Sequence, residues 1–167
     1  MQISLVLIWL AICAAQDARQ RRISNMLTLG VGALALVWLL ATGSTWLGAD
    51  AAQGGWACLI ALLLTLPGCF LGRMGAGDVK LMTALGLATN GIFVLGAFIG
   101  AGLASVLWLL LAPKVWPHMA QGLRAHLRHL APDKSKKLPF APFVWVGVVL
   151  SLYWICLLYT SPSPRDS

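Results

Sequence analysis

The sequence contains no glutamate and only five aspartates, and charged residues make up 10% of its 167 positions. A typical soluble domain has about 25% charged residues, so this scarcity excludes an ordinary water-soluble fold. Hydrophobic residues make up 59% of the chain, which also has eight tryptophans. These proportions indicate an integral membrane protein, because lipid rather than water would surround most of its surface.

Cysteine patterns typical of a metal site or a disulfide framework are also missing. The four cysteines are Cys13, Cys58, Cys69 and Cys156. They stand in apolar runs without a C-x-x-C pair or a neighbouring histidine, whereas structural zinc sites use closely spaced cysteine and histidine ligands. We therefore expect neither structural zinc nor a disulfide framework. We also expect no other metal and no cofactor.

Long apolar runs dominate what is present. They cover about residues 3–16, 26–42, 55–71, 79–90, 92–112 and 140–159. An untilted helix needs about 20 residues to cross the hydrocarbon layer, and the first and fourth runs are the shortest. The runs show no alternation of polar and apolar residues, which favours helices over a barrel. The sequence predicts an all-α integral membrane protein with about six transmembrane helices.

The basic residues lie in alternate loops. Arg19, Arg21 and Arg22 follow the first run, Arg73 and Lys80 flank the start of the fourth, and six more lie between the fifth and sixth runs. Because cytoplasmic loops carry an excess of Lys and Arg, this pattern places the amino terminus outside and the basic loops in the cytoplasm. The net charge of +7 therefore indicates topology and contact with anionic lipid rather than nucleic-acid binding.

The longest polar connection separates the fifth and sixth runs. Within it Met119, Leu123, Leu127 and Leu130 recur at helical spacing. This spacing predicts a short amphipathic helix on the cytoplasmic membrane surface, ending at Pro132.

We expect a single membrane-embedded domain over residues 1–160. No basic residue precedes the first apolar run, so we interpret it as a retained span rather than a signal peptide. Residues 161–167 are polar and rich in Pro and Ser, and we interpret them as a non-native or disordered tail without function.

The short list of acidic residues narrows the search for a reactive site. The aspartates are Asp17, Asp50, Asp78, Asp133 and Asp166. Asp17 follows the first run and Asp78 begins the fourth, so the predicted topology puts both at the cytoplasmic boundary, while the other three are expected in solvated segments. An ionisable group at such a boundary within a bundle is a functional candidate. The structural alternative is that Asp17 is an interfacial charge and Asp78 a helix N-cap.

Two glycines distinguish Asp78 from a simple cap. Gly75 and Gly77 flank Ala76 directly before it, and glycine permits unusual backbone conformations and close approach of another chain. Two carboxyl groups that share a site hold a single proton near neutral pH, because one of the two pKa values rises. The charged group then takes a proton from water while the neutral group donates one to a peptide carbonyl. We expect the helix N-terminus and Lys80 to favour the charged form of Asp78, without assigning the shared proton to either residue.

These motifs resemble those of the type IV prepilin peptidase family of membrane aspartic proteases. The matching segments are residues 75–81 (GAGDVKL), residues 17–25 (DARQRRISN) after a first span, and residues 137–143 (KLPFAPF) before the last run. The short form found in tight-adherence pilus systems is the most similar. Ser24 stands where the family commonly has proline, and the cytoplasmic insert with paired C-x-x-C motifs is absent, so N-methylation is not implied.

The resemblance implies an endopeptidase that removes the basic leader of type IV prepilins, such as Flp-like pilins, at the cytoplasmic face of a bacterial inner membrane. The leader is cut just before the hydrophobic helix of the pilin. By the match, Asp17 and Asp78 are catalytic, and Gly75, Gly77, Lys80 and Asn25 shape the site. The expected partners are the prepilin and membrane lipid; the oligomeric state stays open.

Three alternatives compete with this interpretation. The presenilin and signal-peptide-peptidase group shares GxGD, but it has a tyrosine beside the first aspartate and a Pro-Ala-Leu stretch, where this chain has Gln16 and residues 141–143 (APF). A small membrane carrier or secretion-assembly subunit would use Asp17 and Asp78 to bind a cation or relay protons. A purely structural subunit would tolerate Asp78→Asn.

Overall fold

The computed structural model describes residues 2–20, 23–126 and 139–160, and the part it describes is helical without strands apart from an isolated bridge between Ser44 and Asp50. The helices are α1 (Gln2–Gln20), α2 (Asn25–Thr42), α3 (Ala51–Phe70), α4 (Ala76–Ala88), α5 (Gly91–Val115), α6 (Gln121–His126) and α7 (Ala141–Thr160). The predicted all-helical fold class is confirmed.

Five of these helices, α1, α2, α3, α5 and α7, are long and apolar enough to cross a membrane. The chain is therefore a helical membrane protein. The fourth predicted run forms α4, which has only 13 residues and is about 20 Å long at 1.5 Å per residue. It is shorter than the roughly 30 Å hydrocarbon layer. Five of the described helices, rather than the predicted six, are therefore long enough to span the membrane.

The helices pack in two groups. In one group α1 and α5 pack against α7, and in the other α2 and α3 pack against α4. Contacts of α5 with α3 and α4 join the groups. One buried cluster runs through both groups and includes Leu10 and Cys13 of α1, Leu81 and Leu85 of α4, and Val144 of α7. The short helix α4 is thus held between longer helices.

Glycines allow the closest helix crossings. A Cβ atom added to Gly100 of α5 would lie 2.5 Å from the Cα of Gly147 in α7, and one added to Gly96 would meet Ser151. The G-x-x-x-G pair thus marks close packing, as such pairs commonly do. A Cβ on Gly86 would lie 2.8 Å from the Ala57 carbonyl oxygen, so α4 lies directly against the backbone of α3.

The polar connection after α5 begins with a 3-10 helix (Trp116–His118), followed by α6. The predicted surface helix is therefore helical around Leu123, whereas Met119, its predicted start, has an extended backbone before α6. Its remainder at Leu127, Leu130 and Pro132 lies outside the described residues, as does the tail at 161–167.

Candidate active site

Asp17 lies in the last turn of α1 and is buried, with 6% of its surface exposed. Its Oδ2 accepts a hydrogen bond of 3.1 Å from the backbone N–H of Ala141, the first residue of α7. The N–H groups of a first helical turn have no partner within the helix, and the helix dipole favours negative charge there. The sequence placed Asp17 just after the first span, whereas it lies within α1 and faces the start of α7.

The start of α7 is itself well anchored. The Phe140 carbonyl accepts hydrogen bonds from the N–H groups of Phe143 and Val144, which closes the first turn of the helix. The Phe140 ring lies 6.2 Å, centroid to centroid, from the ring of Phe98 in α5. Ala141 is completely buried. These contacts fix the N–H group that Asp17 binds.

Asp78 lies in the first turn of α4 and is also buried, at 9% exposure. Its Oδ2 accepts a 3.0 Å hydrogen bond from the backbone N–H of Gly75, the N-cap residue. This contact is the half of a capping box that a side chain at the third helical position supplies. Asp78 therefore helps to begin α4, although the N-cap residue is Gly75 rather than Asp78.

The two aspartates influence each other electrostatically. Burial, followed by the negative charge of Asp17, raises the pKa of Asp78 to about 7, against the opposing hydrogen bond from Gly75. The helix N-terminus favours the charged form of Asp78 as expected, through the Gly75 hydrogen bond, but desolvation and the like charge outweigh it. Lys80 donates to Asn25 instead of Asp78. Two carboxyl groups that interact in this way hold one proton near neutral pH.

Lys80 is directed to α2 rather than to Asp78. Its Nζ donates a 3.1 Å hydrogen bond to Oδ1 of Asn25, the first residue of α2. Two of the predicted site-shaping residues, Lys80 and Asn25, are therefore brought together. They join the N-terminal ends of α2 and α4 near Asp78.

A hydrogen bond connects the loop between α1 and α2 to the end of α1. The N–H of Ser24 donates a 3.3 Å hydrogen bond to Oε1 of Gln16, the residue before Asp17. Ser24 has φ −58°, which is the value that proline would impose at this position. The serine therefore keeps the backbone direction of the family's proline and adds a donor that proline lacks.

The two glycines of the GAGD stretch leave space rather than adopt an unusual backbone. Gly75 has an ordinary φ of −77°, and the left-handed glycine of this loop is Gly72, at φ 69°. A Cβ on Gly75 would lie 3.3 Å from Oδ2 of Asp78, while one on Gly77 would make only an ordinary 3.9 Å contact with Ile23. Of the two properties of glycine named from the sequence, it is therefore the missing side chain rather than an unusual backbone that applies here, and Gly75 leaves room beside Oδ2 of Asp78.

Two groups at this site were not predicted from the sequence. The backbone N–H of Ala141 and the amide of Gln16 both act on the segment around Asp17. The KLPFAPF stretch was the only sequence feature that pointed to the start of α7. The group that acts on Asp17 there is a main-chain N–H and not a side chain. In the described part of the chain, no group of three or more His, Cys, Asp or Glu residues could hold a metal ion.

A model of the type IV leader peptidase family matches residues 4–111, which is more than half of the chain and includes both Asp17 and Asp78. No curated protein and no solved structure is a significant match to the chain.

Proposed function

Since the chain belongs to the type IV leader peptidase family, and is accordingly a membrane-embedded peptidase, we propose that it is a prepilin peptidase that uses Asp17 and Asp78 as its catalytic pair. The observation that supports this assignment most strongly is the electrostatic coupling of two buried aspartates from different helix groups. The proposed substrates are type IV prepilins of the Flp-like kind. The bond cut joins the basic leader to the hydrophobic helix.

The proposed mechanism is addition of water to the peptide carbonyl. One carboxylate of the pair takes a proton from water as the water oxygen forms a bond to the carbonyl carbon, and the protonated partner donates its proton to the carbonyl oxygen. As the tetrahedral intermediate collapses, one carboxylate takes the proton of a hydroxyl group while the C=O bond forms, the C–N bond breaks and the leaving amine receives the proton of the other carboxyl group. The pair is then left with one proton, as at the start. The N–H groups of Ala141 and Gly75 orient the two carboxyl groups throughout.

We place the pair at the cytoplasmic side of a bacterial inner membrane, with the amino terminus outside. Supporting this orientation, Arg19, Arg73 and Lys80 belong to the same end of the bundle as Asp17 and Asp78. Cytoplasmic ends of membrane helices are enriched in such residues. A leader that stays in the cytoplasm would then meet the pair where the hydrophobic helix of the pilin enters the membrane.

The test is co-expression of the chain with type IV prepilins, followed by gel shift and amino-terminal sequencing of the pilin. Wild type, Asp17→Asn, Asp78→Asn and Asp50→Asn are compared at equal membrane levels. Asp50 is the matched control, because it is an exposed aspartate that precedes a helix. We expect wild type and Asp50→Asn to remove the leader and the other two variants to leave it uncut.

Cleavage by Asp17→Asn or Asp78→Asn at the wild-type rate would contradict the catalytic pair. If wild type cuts no prepilin, the peptidase assignment to these substrates fails. Proton-coupled flux into vesicles that contain the wild-type chain would then favour the carrier alternative.

A further inference from the structure

Three consecutive residues, Ile23, Ser24 and Asn25, connect the two helices that carry the aspartates. The described part of α1 packs mainly on α7, and its backbone comes close to α2 and α4 at few points. Asp17 of α1 and Asp78 of α4 are therefore not held together by a close crossing of their own helices. Their relative position depends on side chains and on intervening segments, and residues 23–25 form one such segment.

On the α1 side, this segment is bound by Gln16. The N–H of Ser24 donates a 3.3 Å hydrogen bond to Oε1 of Gln16, the residue directly before Asp17. The indole N–H of Trp9 donates a 2.9 Å hydrogen bond to the carbonyl of Leu27, in the first turn of α2. Two side chains of α1 thus bind the backbone at the start of α2.

On the α4 side, the segment contacts residues before and after Asp78. A Cβ atom added to Gly77 would lie 3.9 Å from the Cβ of Ile23, so the Ile23 side chain lies against the residue directly before Asp78. Nζ of Lys80, two residues after Asp78, donates its 3.1 Å hydrogen bond to Oδ1 of Asn25. The segment therefore lies between the two helix ends that carry the aspartates.

The bond from Ser24 to Gln16 fixes the path of the chain, because its donor is a main-chain N–H and not the serine hydroxyl. Ser24 has φ −58° and ψ 131° and precedes the first turn of α2, so its backbone is outside the helix. Loss of the Gln16 acceptor would release the segment from α1 at this point. Ile23 and Asn25 would keep their contacts with α4.

We propose that Gln16 is a positioning residue for the aspartate pair, because by binding the Ser24 N–H it holds residues 23–25 as a spacer that sets the separation of Asp17 and Asp78. The proposal rests on the peptidase function proposed above, since it concerns the geometry of that pair. Gln16 acts through Ser24 and takes no part in the proton transfers. Loosening the spacer makes the productive arrangement of the carboxyl groups rarer, so it slows cleavage without weakening the binding of the prepilin.

The test is a double-variant cycle of Gln16→Met and Ser24→Pro, with cleavage of a prepilin followed under single-turnover conditions over a range of enzyme concentrations. Methionine has a similar length but no amide oxygen, whereas proline fits the φ of −58° at position 24 and removes the N–H that Gln16 binds. We expect Gln16→Met to lower the maximal rate about fivefold and to leave the half-saturating enzyme concentration unchanged. In the Ser24→Pro background, the same substitution should lower the maximal rate by less than about twofold.

Gln20→Met is the matched control, because Gln20 is an exposed glutamine one turn further along α1. We expect it to cleave at the wild-type rate. If Ser24→Pro does not fold, an amide-to-ester change at Ser24 takes its place, since it removes the same N–H. Unfolding temperatures are measured for every variant.

Three outcomes would overturn the positioning role while the peptidase assignment stands. They are a wild-type maximal rate in Gln16→Met, even with a lowered unfolding temperature, an equal loss of rate in Gln20→Met, and a loss that persists undiminished in the Ser24→Pro background. Failure of the wild type to cut any prepilin would instead remove the proposed function, and the positioning role with it.

Discussion

The carboxylate of Asp17 accepts a hydrogen bond from the main-chain N–H of Ala141, a residue 124 positions later in the chain. The first and last long helices are therefore joined at an aspartate that lies close enough to Asp78 to raise its pKa. This contact makes the start of α7 part of the candidate site, although α7 provides no acidic side chain there.

Removing the Ala141 N–H tests its effect on Asp17. Replacing Ala141 by lactic acid changes the amide to an ester and leaves the side chain intact. Hydrogen bonds to charged groups contribute about 1.5–3 kcal/mol, so we expect kcat for prepilin cleavage to fall at least tenfold. Kinetics of purified chain in detergent would measure this change.

The matched control is the same amide-to-ester change at Phe143, whose N–H donates to the Phe140 carbonyl instead. It removes one hydrogen bond from the same helix turn without touching Asp17. Equal losses in both esters would show that α7 matters only for stability.

Cleavage should depend on the protonation of Asp78. Because the pKa of Asp78 is raised to about 7, the aspartate pair loses its shared proton as pH rises above 7. We expect kcat/KM to fall about tenfold per pH unit between pH 8 and 9. A profile for wild type and for Asp50→Asn measured from pH 5 to 9 would show this decline, and constant activity up to pH 9 would contradict it.

The same pKa predicts a stability effect of Asp78→Asn. The carboxyl has an ordinary pKa of 3.8 when unfolded and about 7 when folded. Below pH 3.8 the Asp78 carboxyl is protonated in both the folded and the unfolded state. Between pH 3.8 and 7 it ionises only in the unfolded state, so the free energy of unfolding of the wild type falls across this range. This difference corresponds to at most about 4 kcal/mol.

Thermal unfolding would check this prediction. We expect Asp78→Asn to unfold at a higher temperature than wild type at pH 8 and at nearly the same temperature at pH 4. Asp50→Asn is the control, since Asp50 is exposed. A lower unfolding temperature for Asp78→Asn at pH 8 would mean that the Gly75 contact outweighs the cost of burying the charge.

Packing of α4 against α3 should control the position of Asp78. Gly86→Ala would bring a Cβ within 2.8 Å of the Ala57 carbonyl oxygen, so the helices must separate. We expect a loss of about 1–3 kcal/mol of stability and reduced cleavage.

Gly55→Ala is the control for this substitution, because Gly55 of α3 has nothing within 4 Å of its added Cβ. Alanine is a better helix former than glycine, so this variant should be at least as stable as wild type. Equal unfolding temperatures for Gly86→Ala and wild type would contradict the tight crossing.

Much of this arrangement could be predicted from the hydrophobicity and the charge distribution of the sequence. The apolar runs located the helices to within a few residues, and the basic loops put Asp17 and Asp78 at one end of the bundle before any contact was known. The spacing of Gly96 and Gly100 is typical of close helix packing, but the sequence does not identify α7 as the helix they approach.

The remaining features depend on tertiary contacts that have no side-chain signature. The Ala141 N–H is a backbone group that almost every residue type has, so the identity of residue 141 does not predict its contact with Asp17. Lys80 stands two residues from Asp78 in sequence, yet the turn of α4 directs it to Asn25. The sequence predicts that one pKa of the pair is raised, but not which one, because the burial of Asp78 that contributes most to the shift is a tertiary property.

The most direct test of the central claim measures single-turnover cleavage rates on a prepilin that the wild type cleaves. It compares Asp17→Asn, Asp78→Asn and the double variant. If the two aspartates act as one unit, each single variant loses about 10²–10⁴ in rate and the double variant loses little more. Near wild-type cleavage in either single variant, or losses that multiply in the double variant, would contradict a shared catalytic pair.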